Sequence, residues 1–363
     1  MLIGIDTSRV TKPKLTGTEY YSVEIIKAML ALDKNDRFLL YAQRDPKPRL
    51  GEIDANVKIK VMPFPKFWSQ VRLSWEMLIK KPDILFVPSH TVPLIHPKNT
   101  VVTLHDLGFK HYPELYSPKE LVYHNWTMQF SAEKAKAIIT PSEYTKKDLI
   151  ETYGIDPAKI TVVYHGINRE EFEPKGKVVK EPYIFFIGRL EEKKNIVNMI
   201  KAFGLLRKEK RITHKLLLAG SPGFGYEKIQ EEIGKLPADI KKDVVQLGYV
   251  DQKKYIEYLQ KADVFMFATN FEGFGMPLLE AMAAQTPIVT SNISSMPEIA
   301  GRAAICVDPK KPLEIASAMS RIINSQKIKD DLIYRGRMRV RIFSWEKAAE
   351  ETLGVIRKAG FKK

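Results

Sequence analysis

Sulfhydryl chemistry is nearly absent from this sequence. A single cysteine, Cys306, excludes an intramolecular disulfide and fits a reducing compartment. No apolar stretch approaches the ~18 residues that a bilayer-spanning helix needs. The opening Met1-Leu-Ile-Gly-Ile-Asp6 lacks a basic start and reads as a first strand, not as a signal peptide. No repeat of solenoid period is visible. No Asp-x-Asp pair stands at a sheet edge to hold a divalent cation, and no carboxylate presents itself as a nucleophile. Acidic residues are in deficit: 58 Lys and Arg against 43 Asp and Glu give a net charge of +15. That balance admits nucleic acid, an anionic membrane surface or a phosphorylated substrate as partner. The cations are scattered through helix-like segments, and no interleaved aromatic and basic strand pattern or reader motif appears. Nucleic acid is therefore the least supported of the three.

What the sequence does have is apolar patterning of one kind, repeated. At 363 residues with 44% hydrophobic and 28% charged content, two ordinary domains with substantial cores are expected. Short apolar runs read as strands at 2–5, 38–41, 57–61, 84–87, 100–104, 137–140 and 160–164, with helical periodicity between them, as over 19–32, 119–135 and 142–153. Residues 166–182 are rich in Gly, Pro, Glu and Lys and read as a linker. The alternation restarts with strands at 183–187, 215–219, 244–247, 264–268, 287–290 and 304–307. Helices are expected at 195–208, 252–261, 277–284, 312–323, 328–339 and from Ser344 onward. Strands alternating with helices predict parallel sheets covered on both faces. The expected fold class is α/β, with two Rossmann-like, doubly wound domains facing a cleft. Residues 1–168 would form the first and 169–344 the second, with a terminal helix over 345–363 packing back on the first.

Glu272-Gly-Phe-Gly-Met-Pro-Leu-Leu-Glu280 joins an apolar strand to a helix expected to start at Pro277. Gly273 and Gly275 let backbone approach a ligand, and the first turn of the helix offers free N–H groups to an anion. Anion-binding amides flanked by Glu272 and Glu280 suit a ligand bearing both phosphate and hydroxyl groups, such as a nucleotide sugar; the alternative is an ordinary turn with two solvated glutamates. Gly188-Arg-Leu-Glu-Glu-Lys-Lys-Asn195 also follows a strand. Arg189 supplies a planar fork and Lys194 a point charge, a fitting pair for a diphosphate, or else two surface cations. Thr103-Leu-His-Asp-Leu107 ends a strand of the first half. There His105 could bond a sugar hydroxyl or move a proton, or be locally satisfied, and Asp106 could cap the next segment.

These segments, with Leu247-Gly-Tyr-Val-Asp251, Pro141-Ser-Glu-Tyr-Thr145 and Ser294-Ser-Met-Pro-Glu-Ile-Ala-Gly301, occur in an order that resembles the retaining glycosyltransferases of family 4, of the GT-B architecture. The mannosyltransferase-like branch is nearest. The resemblance implies a hexosyl transfer from a GDP- or UDP-linked sugar to a glycan or lipid-linked acceptor, without metal or bound cofactor. It implies that Arg189 and Lys194 clamp the diphosphate and that Glu280 holds the ribose hydroxyls. Glu272 with the amides of Gly273, Phe274 and Gly275 would meet the sugar. Leu247, Tyr249 and Val250 would border the base, and Gly188 would lie at the strand end beside the clamp. His105 would stand near the donor sugar, and Gly17 would let amides approach the diphosphate, although the family often has two glycines there. Gln285 stands where the family often ends a helix with Gly. The implied chemistry is attack on the face of departure, the donor phosphate taking the acceptor's proton.

Within the class, a UDP-dependent glucosyl- or N-acetylglucosaminyltransferase is the alternative. Outside it stand a basic nucleic-acid-binding protein and an inactive GT-B scaffold. Residues 66–81 carry Trp68 and Trp75 seven apart, read as one helical face, with Lys66, Arg72, Lys80 and Lys81 nearby. They could form a core helix or lie on an anionic membrane, so the expected place of work is the cytoplasm or the cytoplasmic face of a membrane.

Overall fold

The computed structural model describes residues 1–12, 15–174, 176, 181–209 and 211–360. The linker 166–182 and the terminal segment 345–363 therefore lie partly outside the described residues. The chain divides into two compact units, Met1–Gly166 with Ser344–Lys363, and Ile167–Phe343.

The first unit is built on a seven-stranded sheet in the order β3-β2-β1-β4-β5-β6-β7. Its strands are β1 (Leu2–Asp6), β2 (Arg37–Ala42), β3 (Val57–Val61), β4 (Ile84–Val87), β5 (Thr100–Thr103), β6 (Ala137–Thr140) and β7 (Ile160–Val162). Every pairing is parallel. Parallel strands need helical crossovers, which cover both faces, so the central strands are apolar without alternation. All four residues of β4 and of β5 are buried. Helix Trp345–Gly360 packs on Gly17–Leu32 and is tied down by charge. Arg357 donates to Asp33 at 2.7 Å and to Asp36 at 3.2 Å, and Lys136 donates to the carbonyl of Ala359 at 2.7 Å. Ser344 caps this helix by accepting from the N–H of Lys347 at 3.1 Å. At Gly166, where the chain leaves the unit, a Cβ would overlap the backbone of Trp345.

The second unit repeats the plan with six parallel strands in the order β10-β9-β8-β11-β12-β13. These are β8 (Tyr183–Ile187), β9 (Lys215–Ala219), β10 (Val244–Gly248), β11 (Val264–Phe267), β12 (Ile288–Ser291) and β13 (Ala304–Val307). The helix Tyr226–Gly234 has no counterpart in the sequence reading: only Ile229 and Ile233 are buried on it, too few apolar positions to mark a period. The helix after β11 runs from Met276 to Ala283, so Pro277 is its second residue, not its first.

Two local expectations needed the structure. Gln285 does stand where a glycine would close a helix, at φ +56°. The N–H of Gln285 donates to Met282 at 3.2 Å and that of Thr286 to Ala281 at 2.9 Å, the paired bonds of a Schellman ending. The helix is thus capped, but by a side-chain-bearing residue in the left-handed region, at a cost of about 1–2 kcal/mol. Gln285→Gly is expected to raise stability by roughly 1 kcal/mol; urea unfolding of the two proteins measures it, and an unchanged or lower midpoint would contradict it.

Trp68 and Trp75 do not share a helical face. The segment opens on a π turn, Ser69–Leu73, before the α-helix Ser74–Ile79. A π turn takes more than 3.6 residues per revolution, so a seven-residue spacing no longer returns to the same side. Trp68 is buried and donates from Nε1 to the carbonyl of Met62 at 2.8 Å, while Trp75 is 59% exposed.

Candidate active site

In a parallel sheet all strands end on one edge. In the second unit the chain moves to one side through β8, β9 and β10, then returns to the other side of β8 as β11, β12 and β13. The strand order therefore reverses between β8 and β11, and the loops leaving these neighbours border the place where open α/β sheets take ligands.

The loop after β8 begins at Gly188, with φ +148°. Its N–H donates to Ala219 at 3.0 Å. Gly220, at φ +143°, lies so close that a Cβ there would overlap the Gly188 carbonyl. Arg189 is exposed; its stem runs over Gly223, where a Cβ would stand 2.7 Å from Arg189 Cγ. Its guanidinium lies 4.0 Å from Glu191, a loose pairing. Lys194 is more enclosed. Its ammonium pairs with the carboxylate of Glu272 and sits 5.7 Å from the centroid of the Phe267 ring. Asn195, left-handed at φ +59°, donates its amide to Ala268 at 2.8 Å and to Pro309 at 2.7 Å. The N–H of Asn270 donates to Lys193 at 2.9 Å. The two loops are thus stitched together by backbone and by charge.

The loop after β11 carries Glu272, Gly273, Phe274 and Gly275 into the helix Met276–Ala283. Ser295 Oγ lies 2.9 and 3.1 Å from the carbonyl oxygens of Glu272 and Phe274 and donates to them. Gly275 has φ +96°, and Met296 fills the space a Cβ would need. Phe274 is buried, its ring edge-on to Phe343 at 6.1 Å. One turn into the helix, Glu280 accepts a hydrogen bond from the hydroxyl of Tyr255. Burial pushes its carboxyl up to about 7; the Tyr255 hydroxyl opposes this and the charge of Glu171 adds to it. After β10, Tyr249 is 78% exposed and Val250 half-buried, with Leu247 at the strand's end. Gly248 accepts from the N–H of Gly220 at 2.7 Å, which holds this loop beside the β8 loop.

Gly17 and His105 belong to the first unit. Gly17 opens the helix Gly17–Leu32 behind a Thr16 N-cap, with open space where a Cβ would stand. His105 follows β5 and is buried. Its Nε2 lies 3.0 Å from the carbonyl of Pro88. A carbonyl only accepts, so Nε2 carries the proton and Nδ1 keeps a lone pair. Burial lowers its pKa, against opposing contributions from Pro88 and Asp106, so the ring is neutral near pH 7. Tyr21 and His90 pack edge-on to it, with centroids at 4.7 and 5.2 Å. Asp106 turns the chain, accepting from the N–H of Gly108 at 2.7 Å.

The family Glycosyl transferases group 1 matches residues 167–339, and Glycosyltransferase Family 4 matches residues 15–171. The chain is a group 1, family 4 glycosyltransferase. It is 28% identical to O-antigen chain mannosyltransferase B of Escherichia coli over 299 residues, 79% of this chain and 77% of the relative. Among solved structures, sucrose-phosphate synthase from Thermosynechococcus elongatus superposes with a TM-score of 0.74 at 18% identity, covering 98% of each chain. HepE of Anabaena, solved with UDP-glucose, gives 0.73 at 15% identity, covering 99% of this chain and 100% of its own. These likenesses make the architecture GT-B.

Several residues of this glycosyltransferase's site edge escape a reading of the sequence. Tyr255 reaches Glu280 from a different helix, Gln252–Lys261. Gly220 and Gly223 make room for Gly188 and Arg189. The glycine-rich run Gly220-Ser-Pro-Gly-Phe-Gly225, directly after a strand, was the available signal for both. His90 is brought beside His105 from fifteen residues away, its Nδ1 accepting the His105 N–H at 3.5 Å. Burial lowers the His90 pKa to about 3, with the charge of His105 acting the same way.

Proposed function

We propose that this glycosyltransferase moves a hexosyl group, mannosyl in the first instance, from a nucleotide-sugar donor to a glycan or lipid-linked acceptor with retention of configuration. The reading is carried by the Lys194–Glu272 pair, set with Arg189 on the edge where the strand order reverses. Breaking a glycosidic bond to a diphosphate leaves growing negative charge on the diphosphate. Arg189, Lys194 and the positive end of the helix Met276–Ala283 answer that charge in place of a divalent cation. Glu272 accepts from sugar hydroxyls, Glu280 from those of the ribose, and Leu247, Tyr249 and Val250 border the base. His105, neutral and with Nδ1 unprotonated, accepts a sugar hydroxyl. The mannosyl reading leans on the relatedness to an O-antigen mannosyltransferase. UDP-dependent glucosyl or N-acetylglucosaminyl transfer is the second reading, favoured by the fold shared with a protein solved with UDP-glucose.

A thermal-shift panel of GDP, UDP and ADP sugars separates the two readings, since a ligand that binds only the folded state raises its melting temperature by mass action. GDP-mannose is expected to give the largest shift, and hydrolysis or transfer assays with excess chelator are expected to keep most of their rate. A flat panel would remove the nucleotide-sugar reading. Activity abolished by chelation and restored by magnesium or manganese would remove the charge argument.

A further inference from the structure

We propose that the face formed by Phe67, Val71, Trp75, Leu78 and Ile79 docks on an anionic lipid bilayer. On the π turn and helix that span 69–79, large apolar residues stand on both sides, buried and exposed. The side turned into the protein carries Leu73 and Met77, which join the hydrophobic core, and with them Gln70, Ser74 and Glu76, all buried. Glu76 is engaged there by Lys60 and, at 3.3 Å, by Arg72. The side turned to water carries further apolar residues: Phe67 is 62% exposed, Val71 50%, Trp75 59%, Leu78 61% and Ile79 66%. Trp75, Leu78 and Ile79, three and four apart on the α-helix Ser74–Ile79, share one face, and Phe67 and Val71 precede them at the π turn. A segment whose core-facing positions are already filled by Leu73 and Met77, and which leaves five further large apolar side chains in water, presents a surface for something apolar. Phe67 is held at φ +53°, a strained setting for a bulky residue, and yet is exposed.

The stripe continues onto its neighbours. The N–H of Ile95 donates to Ser74 Oγ at 3.3 Å, which ties the exposed pair Leu94 and Ile95 to the same segment. The Phe67 ring meets Tyr123 at 6.3 Å, and Tyr123 meets the exposed Trp126 at 6.3 Å. Aromatic rings of this mixed kind favour the headgroup level of a bilayer.

Charge selects the occupant. Lys66 precedes the stripe and Lys80 and Lys81 follow it, all three exposed. Anionic headgroups complement them. A second copy related by a two-fold axis would set the same cations against one another, at a cost. Among the described residues no helix is long and apolar enough to cross a membrane, so the contact would be peripheral. The inference concerns this surface alone and does not depend on the sugar donor, so either can fail without the other.

The test is flotation of the full chain with vesicles of phosphatidylcholine alone and of phosphatidylcholine mixed with phosphatidylglycerol. Tryptophan emission is followed at the same time. Binding is expected only to the mixed vesicles, with a blue shift, and is expected to weaken with salt. Trp75→Ser/Leu78→Ser/Ile79→Ser should lower the partition coefficient by at least about a hundredfold. Lys66→Gln/Lys80→Gln/Lys81→Gln should lower it by on the order of tenfold or more. All six positions are exposed, so circular dichroism and melting temperature should be unchanged; should the apolar triple variant prove misfolded, Ile79→Asp alone is read instead. Failure of the wild type to float with mixed vesicles overturns the proposal. So does a wild-type dimer in sedimentation velocity that the apolar triple variant dissolves while vesicle binding survives.

Discussion

Lys194→Ala should lower turnover by on the order of 10²–10³, with a smaller change in donor affinity. The ammonium is held in place before any donor arrives: its side chain is 15% exposed and that of Glu272 17%, and the two form an ion pair. A preset cation needs no reorganisation as negative charge grows on the leaving diphosphate, so its interaction strengthens toward the transition state and appears in kcat more than in KM. Arg189→Ala should act in the same direction from a looser position, since among the described residues its guanidinium has only Glu191, at 4.0 Å, to fix it. If both cations serve one leaving group, the double variant should fall well short of the product of the two losses. Glu272→Gln provides the control for the pair itself, because truncating Lys194 also leaves a carboxylate without its counter-ion. Circular dichroism must first show folded protein, and steady-state kinetics then decide. Near-normal turnover in a folded Lys194→Ala protein would reduce the lysine to a local ion-pair partner.

Glu280→Gln should separate binding from stability. As the acceptor for paired ribose hydroxyls, an ionised Glu280 is worth roughly 1.5–3 kcal/mol, or about ten- to a hundredfold in nucleotide affinity. The same carboxyl is pushed up to about 7 by burial in the ligand-free protein. A raised acid is bound to its proton more tightly in the folded state than in the unfolded one. Its contribution to stability is therefore full below the unfolded value of about 4.3 and is lost as pH rises through about 7. Glutamine has no proton to lose, so the variant should gain stability on wild type as pH rises from about 4.3 to about 7, and hold that gain above it, while binding nucleotide more weakly. Wild-type affinity should also rise with pH across 7, and that of the variant should stay level. Calorimetric titration of a nucleoside diphosphate at several pH values, beside urea melts at the same values, reads both. Equal affinities would take Glu280 out of the site, and equal stabilities above pH 7 would mean that its burial carries no cost.

The strands were legible because parallel sheets bury both faces. Ile84-Leu-Phe-Val87 and Val264-Phe-Met-Phe267 are wholly buried and wholly apolar, a pattern that needs no neighbour to be recognised. The candidate site loops were legible where a glycine or proline marked the end of a strand, as around Gly188 and Gly275. What escaped depended on which strand lies beside which. Lys194 and Glu272 are far apart in sequence and meet because β11 inserts next to β8 and not next to β10. The support of Glu280 by Tyr255 has the same origin. The two tryptophans at 68 and 75 were misplaced for a local reason, one π turn that no propensity scale signals.

The course of the backbone past Gly166 and back at Ser344 bears on the order of events at the ribosome. The second unit is an uninterrupted run of chain, so all of it has been made once Phe343 is added. The first unit, although begun earlier, is completed by the helix Trp345–Gly360, which is synthesised after all that it packs on. Until then the helix Gly17–Leu32 and the acidic pair Asp33 and Asp36 wait without their cover. The half made first is thus the half finished last. For this chain the familiar order, in which domains complete from the N-terminus onward, runs backwards.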